Sequence, residues 1–174
     1  MKFSATAMFG IKLSAHKNLA IGASSNYTFG RHRIYPVIAY NQTFNHRWGI
    51  ESLLPVYLKI RFRPNDKNLI LAKSELAGAN YNVNLDIGND GQSETYYLEK
   101  SEARFLLAYE RAIYGGIWLG LEAGLRYNME FNMSDDFKVP DAHVLLNNSL
   151  NEAFMSNISL FFSPTQSMIR SKRH

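Results

Sequence analysis

The chain of 174 residues has no cysteine, which excludes a disulfide framework and any thiolate metal site. Its hydrophobic residues, 46% of the total, never gather into the roughly 18 consecutive apolar residues that a spanning helix needs. A transmembrane helix is thereby excluded; strands that cross a membrane are not. Charge is not one-sided either. A net charge of +4, mixed along the chain, is too small to point to nucleic acid. No Walker or dinucleotide glycine loop is present, and no Gly-x-Ser-x-Gly elbow.

What the chain does have is alternation. From Ile117 to Asn132 the odd positions are Ile117, Leu119, Leu121, Ala123, Leu125, Tyr127, Met129 and Phe131, and the even ones are Trp118, Gly120, Glu122, Gly124, Arg126, Asn128, Glu130 and Asn132. A period of two over sixteen residues predicts a long β-strand with one apolar and one small or charged face. Similar patterning predicts strands near 3–14, 19–29, 33–44, 48–63, 69–85, 95–113 and 152–162. Pro36 reads as a strand end or bulge. Pro55 reads as a bulge inside the strand 48–63, and the change of phase near Gly78 as another. Tyr114-Gly115-Gly116 predicts a hairpin turn. The stretch 133–151 is a long connection in which 141–150 reads as loop or short helix, and the polar stretch 86–94 is a second long loop.

Eight strands with almost no helix predict an all-β fold, an antiparallel up-and-down transmembrane β-barrel. It would form one domain over 1–163, with a basic tail at 164–174. Three features place the polar face inside. It is rich in glycine (Gly10, Gly22, Gly49, Gly120, Gly124), as a crowded interior requires. It carries both signs of charge: Glu51, Glu102, Glu110, Glu122 and Glu130 against Lys59, Arg61, Arg63, Arg104 and Arg126. Aromatics lie near strand ends on the apolar face, among them Phe29, Phe44, Trp48, Phe62, Tyr109, Tyr127 and Phe131, as interfacial girdles do. The two long connections share a parity, which predicts that both termini lie at the opposite, short-turn end.

The segments WGIESLLPVYLKIRF, AGANYNVNL and EKSEARFLLAYERAIYGGIWLGLEAGLRYN resemble bacterial outer-membrane β-barrel proteins of unassigned function, of the small Gram-negative type. The resemblance covers roughly 48–132. It implies an outer-membrane location, contact with outer-membrane lipid and with barrel assembly machinery, and no catalytic residue. Such proteins usually begin with a signal peptide, whereas the start here alternates like a strand, so the chain is expected to be a truncated barrel.

The function expected on this basis is non-enzymatic: a structural or adhesive role, or passage of small solutes, with a porin-like lumen largely filled by an ion-pair network of Glu51, Lys59, Arg61, Glu102, Arg104, Glu110, Glu122, Arg126 and Glu130. One alternative is a soluble barrel holding an apolar ligand against Leu58 and Leu121. A second is an outer-membrane lipid hydrolase, for which Ser149 near His143 is the only local pairing. No cofactor and no metal are expected. The five histidines do not cluster, and Asp86, Asn89 and Asp90 read as a polar turn rather than a calcium loop.

Overall fold

The computed structural model describes residues 3–29, 31–85, 94–134, 144–147 and 151–163. Ten strands account for nearly all of them: β1 (Ala5–Ser14), β2 (Lys17–Phe29), β3 (Arg31–Thr43), β4 (Trp48–Leu54), β5 (Tyr57–Asn65), β6 (Asn68–Leu85), β7 (Glu94–Tyr114), β8 (Ile117–Ser134), β9 (Val144–Asn147) and β10 (Ala153–Phe162). Among the described residues no helix is long and apolar enough to cross a membrane.

All pairings are antiparallel, and the order is β1-β2-β3-β4-β5-β6-β7-β8-β10, with β9 attached only to β8. The path is open. Among the described residues, β1 pairs only with β2 and β10 only with β8. This corrects the expectation of a closed transmembrane barrel of eight strands, and with it the porin-like lumen and the outer-membrane location that rested on closure.

The strand count on which that closure was expected changes at Pro55. The stretch 48–63 is not one strand with a bulge but a hairpin, with Leu53 opposite Tyr57 and Trp48 opposite Phe62. Proline has no N–H to continue the ladder, and the Leu54–Pro55 peptide bond is cis. The extra hairpin makes the path nine strands long. In an antiparallel path of odd length the first and last strands run the same way, so β1 and β10 have no antiparallel closure to make. The same hairpin reverses the chain once more, so the start of β1 and the end of β10 lie at opposite ends of the sheet, not both at the short-turn end as expected.

Two other irregularities are relocated. Pro36 lies inside β3, in unbroken register opposite Ala23. It is tolerated because β4 ends at Leu54, opposite Ile38, leaving Pro36 a ladder partner on one side only. Near Gly78 the buried positions do change phase, from Leu71 to Asn80. The β6–β7 ladder nevertheless runs unbroken from Asn68–Arg111 to Leu85–Glu94. The inserted residue is on the other side of β7, where Ser101 faces Glu130 but Glu102 faces Asn128. Residues 144–147, expected as loop or short helix, pair with β8 as β9.

The sheet curls, so that β2 packs against β6 and β7 across its concave side. The short β4–β5 hairpin permits this, because β6 continues ten residues past Glu75, the last residue paired with β5. The small core includes Tyr35, Val37, Leu71, Tyr96, Leu106 and Ala108, and Ser24, Glu99, Ser101 and Glu102 are buried as well. Two glycines set the curvature. A Cβ on Gly124 would lie 2.0 Å from the Phe105 carbonyl oxygen, and one on Gly22 would lie 2.0 Å from that of Ala7. In both places the neighbouring backbone occupies the space of a side chain.

Candidate functional site

The cross-strand register assigns every residue to a face. One concave row runs Lys12, Asn18, Asn41, Glu51, Lys59, Lys73, Leu106, Gly124 and Met155. Eight of the nine residues expected in the charged network fall on this concave face; Glu130 lies beyond the β7–β8 bulge, opposite Ser101, and has the parity of the other face. These charges form separate groups rather than one network.

The first group centres on Glu102, whose side chain is 2% exposed. Lys100 and Arg104 lie two residues away along β7, and therefore on the same face. Lys100 Nζ is 2.7 Å from Glu102 Oε2. The Arg104 Nε–H donates to Oε1 at 2.6 Å, and its Nη2 pairs with the same oxygen. Arg126 Nε stands 3.7 Å from Oε2. The arrangement follows from the register: Arg104 and Arg126 are directly opposite each other on β7 and β8, a like-charge pair that is repulsive on its own. Glu102, diagonal to Arg126, lies within ion-pair distance of both and offsets part of that repulsion. Burial pushes the Glu102 carboxyl up, but the hydrogen bonds and charges of Lys100 and Arg104 outweigh it and hold the pKa below the ordinary glutamate value.

The second group is one ion pair that reaches across β7, Lys73 Nζ to Glu122 Oε2 at 2.5 Å. The third is on β4 and β5. Lys59 Nζ lies 3.6 Å from Glu51 Oε1, and the Tyr57 hydroxyl donates to the same oxygen at 3.2 Å. Burial raises the Tyr57 pKa, and the Glu51 charge adds to it. Arg61 joins no ion pair among the described residues; its Nη2 is 3.4 Å from Thr43 Oγ1. Glu110 faces Gly120 and joins no ion pair among the described residues. Glu130 faces Ser101, with Oε2 buried and no hydrogen-bond partner among the described residues.

Sequence reasoning did not single out Lys73, Lys100 or Thr43 as partners, nor the cleft of about 280 Å³ at the short-turn end lined by His16, Asn18, Asn41, Gln42, Thr43, Gly49, Glu51, Lys59 and Arg61. The signal for Lys73 and Lys100 was their parity with Glu75 and Glu102. The cleft had none, because it brings β1–β2 beside β4–β5.

The convex face is apolar and exposed. Phe9, Ile21, Ile38, Ile60, Leu107, Leu121, Ile158 and Leu160 are all more than a third exposed. Leu121 therefore faces outward, as does Leu58, which lies in one row with Tyr40 and Phe105. This overturns the alternative of a soluble barrel with an apolar cavity. Aromatics do stand near the strand ends on this side, with the Trp48 and Phe62 rings 4.4 Å apart. His32, expected in a turn, lies in β3 and meets Ser25 Oγ at 2.8 Å. Ser149 and His143 of the hydrolase reading, Asp86, Asn89 and Asp90, and the basic tail 164–174 lie outside the described residues. Among the described residues no group of acidic or histidine side chains is arranged to hold a metal ion.

No family model matches the chain, and neither a curated protein nor a solved structure matches it significantly. The open path of the sheet corrects the expectation that the chain belongs to the outer-membrane barrel proteins that its segments resemble.

Proposed function

We propose that the chain is a non-enzymatic protein whose convex sheet face lies against the acyl chains of lipid while its charged concave face stays in water. The observation that carries this reading is the continuity of exposed apolar side chains from Phe9 on β1 to Leu160 on β10. Surfaces of this kind mark contact with a partner or a lipid phase. A protein partner would need an apolar hollow matched to a convex surface, with hydrogen bonds and a polar rim. Acyl chains conform to any shape and need no directional partner. The edges of the face support the same reading. Tyr114, 82% exposed, and the Trp48–Phe62 pair stand near the short turns. There too, Lys17 Nζ lies 5.5 Å from the centre of the Tyr40 ring. Amphipathic rings and long cationic side chains suit a boundary between apolar and aqueous phases.

The test is flotation with phospholipid vesicles. The folded chain is expected to rise with them. Leu121→Arg should remove about 2 kcal/mol of apolar burial, roughly a thirtyfold loss of partitioning. Glu110→Gln, on the concave face, should float like the parent. A folded chain that stays in the dense fraction, or partitioning unchanged by Leu121→Arg, overturns the proposal. A dimer forming in lipid-free buffer without flotation would assign the convex face to a second copy instead.

A further inference from the structure

Around Glu102 and Glu122 each cation of the concave face has a carboxylate within ion-pair distance, but this does not hold at the short-turn end. There Glu51 is engaged by both Tyr57 and Lys59, and Arg61 stands uncompensated. Its position is built. Gly49 is directly opposite Arg61 in the ladder, and a Cβ there would lie 2.8 Å from Arg61 Nη2. The missing side chain lets the guanidinium lie over β4 and reach Thr43 on β3. It comes to rest in the 280 Å³ cleft, among the side chains of Asn18, Asn41 and Gln42, with His16 and Lys59 at the walls. Lys12 stands in the next cleft, which shares Asn18 and Asn41 with the first. An arginine without a carboxylate partner keeps its fork of N–H donors for an oxyanion, and amide and hydroxyl side chains provide neutral donors beside it.

We propose that this cleft binds a small phosphate-type oxyanion through Arg61, with the neighbouring amides completing the contact while Lys59 and Tyr57 hold the Glu51 carboxylate at the cleft wall. The cleft is on the face opposite the apolar surface, so the inference does not rest on lipid contact. Its volume suits inorganic phosphate or a compact phosphomonoester.

The test is titration calorimetry of the intact chain with inorganic phosphate and, separately, glycerol 3-phosphate at fixed ionic strength. Saturable binding is expected, weakened at least tenfold by Arg61→Met. Arg61→Lys, which keeps the charge and loses the fork, should weaken it too. Gly49→Val keeps Arg61 but fills the space under the guanidinium, and should reproduce the loss. Lys67→Met, an exposed turn cation outside the cleft, should bind like the parent. Binding that does not saturate, is unchanged by Arg61→Met, or falls equally with Lys67→Met overturns the proposal. Saturation by glycerol 3-phosphate but not by phosphate retains the site and assigns it to the ester; vesicles of phosphatidylglycerol competing with either probe would make a lipid headgroup the source.

Discussion

Replacing Gly124 by alanine is expected to cost about 3 kcal/mol or more, at the severe end of overpacking effects, and valine should prevent folding of a chain whose total stability is on the order of 5–15 kcal/mol. The Cβ would meet the Phe105 carbonyl oxygen at 2.0 Å and Leu106 Cα at 2.8 Å. Both are backbone atoms, which no rotamer change can remove, so β7 and β8 would have to separate. Urea unfolding followed by tryptophan fluorescence measures the effect. Gly10→Ala is the internal standard: its Cβ would find Ala20 Cβ at 3.5 Å, an ordinary contact, and the midpoint should barely move. If both alanine variants unfold at the parental midpoint, the curvature does not depend on Gly124.

The second large effect is expected at Glu102. Changing it to glutamine keeps the shape and removes the charge, leaving Lys100, Arg104 and Arg126 facing one another. Breaking a buried pair by removing one partner costs about 3–5 kcal/mol; because the three cations are partly exposed, the lower end of that range applies. The same residue sets an acid limit. Its folded pKa lies below the ordinary glutamate value, so the folded state binds fewer protons than the unfolded one over that interval. The stabilisation is complete above the unfolded pKa and is lost as pH falls through the folded one. Denaturation midpoints measured from neutral to acid pH should fall for the parent and fall less for Glu102→Gln. Parallel curves would mean that other carboxylates govern the acid limb.

The division of faces was legible in the sequence because side chains in a strand alternate whatever the strand packs against. The parity of Ile117 to Asn132 separated exposed Leu121 from inward Glu122, but the bulge opposite Ser101 and Glu102 reverses it beyond Asn128 and moves Glu130 off the concave side. The hairpin at Pro55 was not legible, for a reason of arithmetic. Leu53 pairs with Tyr57 and Glu51 with Lys59, so odd residues face odd residues. Alternation therefore passes through the turn without a break, and one long strand and two short ones leave the same trace. With that hairpin hidden, the strand count came out even and closure followed from it. The grouping of charges was lost for a related reason. Parity says that Lys73 and Glu122 share a face, but only register and curl bring them together across β7.

The shared direction of β1 and β10 also governs how copies of the chain would meet at their edges. β10 carries no charged residue, and β1 only Lys12, so apart from that lysine the edges lack the charges and prolines that usually discourage pairing. Copies related by translation would join β10 of one to β1 of the next in a parallel ladder, and repetition would extend them into a polar fibre. Copies related by a twofold axis would join like edges, β10 to β10 or β1 to β1, in the stronger antiparallel ladder, and each such contact closes on itself. An odd number of strands thus ties the strength of an edge contact to its symmetry.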